Sequence, residues 1–393
     1  MDKRAEMLMC LVLPMPALLF VLGTTPLVPL NGGLDTDGRF YAAMALRSPG
    51  ENAHLAPWCW RILTPCLAST LPFGLIANFK VLAFFSNWLS LVLIYLLLRR
   101  MERPRYAALL GTLLYAGVFW TLKFSFYSPT YIDYQTQTFL LAALYLMVRQ
   151  TYGPIPILLA VGVLQKETLL LLGPVVYVHY ARTHGWGSKR SLLYLTALLL
   201  LPFLAHQAVQ SAISAINRYS AVDTYLENLV DQTTWLGFWP RFLLEICSGL
   251  GLLPCLVLYR AREAAHFLRR QPEWAWQIGI GVVLLFGGID KARLFLFMLP
   301  ALIVVAAYLL DQLQLLTSVS GRAWIAITVL LHLYIGHYLT PMGTFARYLA
   351  RMVPIHATTS VVPTLLEYGT ILLIWASLTA LLARGKQPAA ELA

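Results

Sequence analysis

The sequence predicts an all-α integral membrane protein with about 10–11 transmembrane helices and one short re-entrant helix hairpin. Three observations carry this reading. Hydrophobic residues make up 59% of the 393 positions and charged residues only 12%, about half the charged share of a soluble domain. Apolar runs of about 20 residues, the length that crosses a bilayer, recur along the chain. The connectors between them are too short for a soluble domain, so residues 1–393 read as a single polytopic unit.

Lys and Arg gather in those connectors. The net charge of +11 therefore reads as positive-inside orientation. With no Lys/Arg-rich arm and no zinc-ligand spacing, it argues against nucleic-acid binding. Full crossings are expected at 7–29, 76–98, 106–122, 131–148, 191–215, 240–259, 275–288, 293–311, 323–340 and 363–383. The first run is longer than the ~7–15 residues of a signal-peptide core and reads as an uncleaved anchor.

Arg99, Arg100, Arg103 and Arg105 surround a single acid, Glu102, and mark a cytoplasmic connector. Arg260, Arg262, Arg269 and Arg270 mark another, and Arg384 with Lys386 places the C-terminal end inside. Lys3 and Arg4 suit an inside N-terminal end. The first loop, 31–75, then faces outward, as do the connectors near 123–130, 216–239, 287–292 and 341–362. Arg347 and Arg351, without acids, run mildly against this in the last of them.

Segment 154–180 is anomalous, because Arg149 before it and Arg182, Lys189 and Arg190 after it both look cytoplasmic. Two arms of about 12 residues would each rise ~18 Å. A hairpin with Gln165-Lys166-Glu167 at its turn fits; one full crossing is the alternative. In the first loop, Asp37 suits the N-cap of a helix over 39–46. A second short helix is expected over 61–71, with Pro65 near its start.

The first loop is unusually polar for this chain. Asp35 and Asp37 are the leading catalytic candidates, since paired carboxylates beside a bilayer can act as general base or hold a divalent cation such as Mg or Mn. A cap plus a solvated loop is the plainer account. Lys166 and Glu167 lie within apolar sequence, where ionisable groups are costly and face an interior cavity. They suit substrate binding, with Lys166 at a phosphate, or else a mutually paired couple at a helix break. Asp290, Lys291 and Arg293 cap an apolar span on the outer face; the two cations can hold phosphate oxygens, Arg in a bidentate manner.

Arg61, flanked by Trp58 and Trp60, and Tyr41 join the substrate-binding candidates, because interfacial aromatics also stack on sugar faces. Lys123, Tyr127, Tyr131 and Asp133 add polar density on the same side. No metal site is assigned. His54, His332, His337 and His356 show no ligand spacing, and His332 and His337 are not the i, i+4 pair of a helical site. Cys59 and Cys66 can pair only if their loop faces an oxidising compartment and the geometry allows.

Asp37-Gly38-x-x-Tyr41-x-x-x-Ala45 after the first span resembles the first-loop motif of the GT-C superfamily of multi-pass glycosyltransferases. Pro57-x-x-x-Arg61-Ile62-Leu63-x-Pro65 resembles a stretch of many bacterial members. Gly162-x-x-x-Lys166-Glu167-Thr168 looks like their hairpin, and Asp290-x-x-Arg293 followed by Pro300 looks like a late segment. The four landmarks occur in family order over roughly residues 1–310.

The resemblance implies a GT-C-like fold in a bacterial inner membrane and a polyprenyl-phosphate-linked sugar as donor. It implies an envelope glycan, lipid or protein as acceptor, with reaction on the non-cytoplasmic face. It implies Asp37, with Asp35 second, as base; charge developing on the leaving phosphate calls for cations near, but not touching, that base. No large C-terminal soluble domain is evident, which leaves the acceptor open. A transporter or flippase of a lipid-linked or small polar substrate is the main alternative. It calls for repeats with matching helix breaks, and only one break, near 165, is visible. A polymerase and a non-catalytic assembly subunit complete the field. Convergence of Asp37, Lys166 and Arg293 separates an enzyme from a scaffold.

Overall fold

The computed structural model describes residues 3–28, 32–34, 37–47, 55–234, 249–286, 291–313, 318–339 and 358–384, with 242, 243 and 246. Every regular element among them is helical. The N-terminal part runs α1 (Lys3–Val12), α2 (Pro14–Thr24), α3 (Gly38–Leu46), a 3-10 turn (Trp58–Trp60), α4 (Leu63–Ser69), α5 (Leu75–Arg100) and α6 (Arg105–Gly117). The middle runs α7 (Leu122–Tyr127), α8 (Asp133–Val148), α9 (Ile155–Gly162), a 3-10 turn (Glu167–Leu171), α10 (Leu172–His184), α11 (Lys189–Ala212) and α12 (Ala221–Thr234). Then come α13 (Leu253–Tyr259), α14 (Ala261–Arg270), α15 (Pro272–Leu284), α16 (Lys291–Leu294), a 3-10 turn (Phe295–Phe297), α17 (Leu299–Gln312), α18 (Val319–Tyr334) and α19 (Thr358–Arg384).

Among the described residues, four helical stretches are long and apolar enough to cross a membrane: Arg4–Thr24, Leu75–Arg100, Lys189–Ala212 and Val319–His337. Leu299–Gln312 and Leu365–Leu381 are shorter apolar helices. Three of the expected crossings contain shorter helices. The stretches 106–122, 131–148 and 275–288 are built on helices of 13, 16 and 13 residues. Such helices rise roughly 20–24 Å, short of the ~30 Å hydrocarbon core.

Tertiary contacts set the breaks. A Cβ on Gly117 would lie 2.6 Å from Cδ2 of His332, so α6 ends where that ring enters. Thr121 then turns the chain by donating to the Tyr115 and Val118 carbonyls, at 2.9 and 2.7 Å. His332 is buried and ties three segments. Its Nδ1 accepts from the Leu252 N–H at 3.1 Å and its Nε2 meets the Leu114 carbonyl at 2.8 Å. A carbonyl only accepts, so the proton sits on Nε2.

The bundle has two chemically distinct ends. At one, Glu6 of α1 accepts from Arg99 at 2.5 Å, Arg105 at 3.1 Å and Tyr95 at 2.9 Å. Arg103 reaches Asp311 at the end of α17 at 3.1 Å. Glu273, at the start of α15, holds Arg182 at 2.7 Å and His179 at 3.0 Å.

Segment 154–184 folds back on itself. The Tyr152 ring before α9 lies 4.8 Å from Tyr180 and 5.8 Å from His184 at the end of α10. The Tyr194 hydroxyl donates to the Tyr152 carbonyl at 2.9 Å. The turn between α9 and α10 therefore carries residues 163–171 away from that cationic end. The amphipathic α14 turns Ala264 and Phe267 inward, with Phe267 stacked on Tyr308 at 4.6 Å, and leaves Arg269 and Arg270 exposed. Cys59 and Cys66 are free thiols, and burial pushes both pKa values up.

Candidate active site

Gly38 positions the first loop. A Cβ there would lie 2.0 Å from Oγ1 of Thr130, so only glycine lets α3 start against the turn that precedes α8. Asp37 stands just before α3, yet its side chain makes no capping bond. The expected cap is corrected: Oδ2 of Asp37 accepts from Nη2 of Arg293 at 3.2 Å. Tyr41, one turn on, is buried, and its hydroxyl accepts from Nη1 of Arg61 at 3.0 Å. Burial pushes the Tyr41 pKa up, against the smaller opposing effect of the Arg61 charge. Trp58 stacks on Phe40 at 5.0 Å and packs among Tyr41, Met44 and Phe79, beneath α3.

Arg61 follows the Trp58–Trp60 turn and grips Glu167 with two nitrogens. Nε donates to Oε2 at 2.9 Å, and Nη2 donates to Oε1. Burial disfavours the guanidinium charge, but Glu167 and Tyr41 together outweigh it, and the Arg61 pKa is raised well above its usual value. Lys166 points the other way, its Nζ donating to Oδ1 of Asp133 at 2.5 Å. Lys166 and Glu167 are thus not a mutual couple; each takes a partner from another segment. The second oxygen of Asp133 faces Nη1 of Arg293 at 3.5 Å, and that guanidinium lies 4.5 Å from the centre of the Tyr131 ring.

Three cations and three carboxylates pair in two sets: Arg61 with Glu167, and Lys166, Asp133, Arg293 and Asp37 in a run. Their side chains are between 8% and 21% exposed. The formal charges cancel, which permits six ionised groups in a poorly solvated place. The expectation that no cation touches Asp37 is corrected, because Arg293 binds it directly. Asp35 and Asp290 lie outside the described residues, as does the side chain of Lys291.

Buried amides fix the hairpin turn. Gln165 is fully buried; its Oε1 accepts from the Thr64 amide at 3.2 Å and the Thr64 hydroxyl at 2.6 Å. Its Nε2 donates to the Ile132 carbonyl at 2.7 Å, and the Leu63 amide bonds the Leu164 carbonyl at 3.1 Å. These bonds lock α4, the turn and the start of α8 together, which aims Lys166 and Glu167 in opposite directions.

Asp133, Lys166 and Arg293 face a cavity of about 20 Å³, completed by Gln137, Thr168 and Leu284 among others. Leu284 also lines a larger apolar hollow of about 590 Å³ along α15, with Leu171, Trp276, Ile280 and Val283. Among the described residues no group of three or more His, Cys, Asp or Glu side chains is placed to hold a metal ion. Asp37 and Asp133 both face Arg293, so a cation binding them would share them with the guanidinium.

Of the residues singled out from sequence, the structure bonds Tyr41, Arg61 and Glu167 in one set and Asp37, Arg293 and Lys166 in another, the second through Asp133. Asp133, which bridges two of the three cations, reads from sequence only as added polar density and Gln165 only as part of the hairpin turn, and Gln135 and Gln137 are not singled out there. Their signal is visible in retrospect: Asp133, Gln135 and Gln137 are three polar residues opening an otherwise apolar helix. No protein-family model, no curated protein and no solved structure matches the chain.

Proposed function

We propose that the protein is a membrane glycosyltransferase that moves a sugar from a polyprenyl-phosphate donor to an envelope glycan, lipid or protein. The observation that carries this is the run Lys166–Asp133–Arg293–Asp37, in which Asp133 bridges the two cations and Arg293 holds Asp37, beside a cavity that shares Leu284 with an apolar hollow. A lipid tail, an anion and a polar head make up the donor. The hollow along α15 suits the tail, and Lys166 and Arg293 suit the phosphate. The resemblance in the first loop, the hairpin and the Arg293 segment supports the same assignment.

In the proposed reaction the acceptor hydroxyl oxygen bonds to the anomeric carbon as the bond from that carbon to the phosphate oxygen breaks. The electron pair leaves with polyprenyl phosphate, and the acceptor proton passes to the Asp37 carboxylate. Lys166 and Arg293 stabilise the charge that grows on the departing phosphate. The donor phosphate competes with Asp37 for Arg293, so donor binding itself releases the carboxylate to act as base. The site end lies opposite the cationic connectors, which supports reaction on the non-cytoplasmic face of a bacterial inner membrane.

The test is mass spectrometry of envelope glycans and lipid-linked sugars in a deletion strain, paired with transfer assays on the purified protein in nanodiscs. The expected result is loss of one glycan linkage, a rise in one polyprenyl-phosphate sugar, and a new glycosidic bond formed by the purified protein. Unchanged glycans and lipid-linked sugars would overturn the proposal. A rise in the lipid-linked sugar with no bond formed by the purified protein favours a flippase.

A further inference from the structure

The Gln137 side chain is 4% exposed and lines the small cavity beside Asp133, Lys166 and Arg293. Its Nε2 donates to the Leu296 carbonyl at 3.0 Å. That bond fixes the amide's orientation, since only the NH2 group can donate to a carbonyl. Oε1 therefore points the other way, and it is buried with no hydrogen-bond partner. A buried acceptor left unmatched costs free energy comparable to a lost hydrogen bond. It needs a donor, and the two cationic side chains of the cavity wall, Lys166 and Arg293, both face Asp133.

Gln277 provides a comparison. It is fully buried, its Nε2 donates to the Phe297 carbonyl at 2.8 Å, and its Oε1 also has no partner. Gln137 and Gln277 together grip the 3-10 turn Phe295–Phe297 that follows Arg293. Only Gln137 lines the cavity with the two cations. Holding the turn thus accounts for the amide nitrogens of both residues and leaves the Gln137 acceptor unexplained.

We infer that Gln137 Oε1 is a recognition group for a hydroxyl on the substrate's head, read at the same time as Lys166 and Arg293 hold its anion. The ligand class is an anionic phosphoester carrying a hydroxylated group, as opposed to a bare phosphate or an acyl phosphate ester without hydroxyls. This inference rests on the lipid-phosphate-sugar reading above and adds the specificity residue. The cavity has room for about one water, so a resident water is the competing occupant of the acceptor.

The experiment uses the full chain in nanodiscs and two probes, a short-chain prenyl phosphate and the same prenyl phosphate carrying a hexose. Binding of each is measured to the wild type and to Gln137→Leu and Gln277→Leu. In the wild type the hexose should tighten binding relative to bare prenyl phosphate. Gln137→Leu should lose about five- to tenfold of that gain, the scale of one buried hydrogen bond, with bare prenyl phosphate bound as before. Gln277→Leu, which loosens the same turn, should keep the gain. Retention of the gain in Gln137→Leu would overturn the inference and assign the acceptor to water. Equal loss in both variants would overturn it too, because holding the turn would then explain the effect. Failure of wild type to bind either prenyl probe would sink the glycosyltransferase reading itself.

Discussion

Arg293 binds Asp37 through a 3.2 Å contact that spans 256 positions of sequence. The pair joins the carboxylate expected to act as base to the cation expected to meet the phosphate. The two roles are therefore coupled before any substrate arrives.

Asp37→Asn keeps size and hydrogen-bonding shape and removes basicity. It should abolish or severely reduce glycosyl transfer by purified protein while leaving expression and membrane insertion unchanged. Loss of one charged hydrogen bond should lower stability by about 1.5–3 kcal/mol at most. Transfer at wild-type rates would move the base to Asp133 or Glu167. Asp35→Asn should cost less; if both variants fail and a chelator inhibits the wild type, the carboxylates hold a divalent cation.

Arg61 and Glu167 form a poorly exposed, doubly bonded pair. Glu167→Gln leaves the guanidinium without its counter-charge, a change worth about 3–5 kcal/mol when a buried pair is broken on one side. Thermal unfolding in detergent should report a clear fall in Tm. Arg61→Met with Glu167→Leu removes both charges and should recover part of that stability without recovering transfer. A double variant less stable than Glu167→Gln alone would show that the pair is a net stabiliser.

Gly38→Ala places a methyl group 2.0 Å from the Thr130 hydroxyl. The start of α3 must shift, at a cost of about 1–3 kcal/mol for overpacking, and Asp37 shifts with it. Transfer should fall sharply. Adding Thr130→Ala removes the clashing oxygen and should restore part of the activity. Full activity in Gly38→Ala alone would mean that α3 yields without moving Asp37.

Cysteine labelling tests orientation in a background without native cysteines. Ser69→Cys and Arg100→Cys should be reached from opposite sides of the membrane. Arg149→Cys and Lys189→Cys should both be reached from the Arg100 side, because the Tyr152 ring meets Tyr180 and His184. Opposite labelling of 149 and 189 would make 154–184 a full crossing.

The charged residues were legible because ionised groups in so apolar a chain are expensive and must have a use. Asp37, Arg61, Lys166 and Arg293 stand out against their neighbours for that reason alone. Their pairing was not legible. Lys166 and Glu167 are adjacent in sequence and invite the reading of a local couple, whereas Gln165 and Thr64 twist the turn so that one faces Asp133 and the other Arg61. Asp133 reads as background polarity until Lys166 and Arg293 arrive on either side of it. Helix ends were equally hidden. The apolar stretch after Arg105 continues past Gly117, and it is the ring of His332, more than 200 residues later, that ends the helix there.

Completion of the ion cluster also orders biosynthesis. Arg61 is made 106 residues before Glu167, and Asp37 is made 256 before Arg293. At ~5–20 residues per second, Asp37 spends roughly 10–50 s in the nascent chain before its guanidinium exists. During that interval Asp133 has Lys166 alone, and the first loop cannot close on its final geometry. A chain that ends between residues 167 and 292 carries Asp37, Asp133 and Glu167 against Arg61 and Lys166 alone, one carboxylate more than its cations.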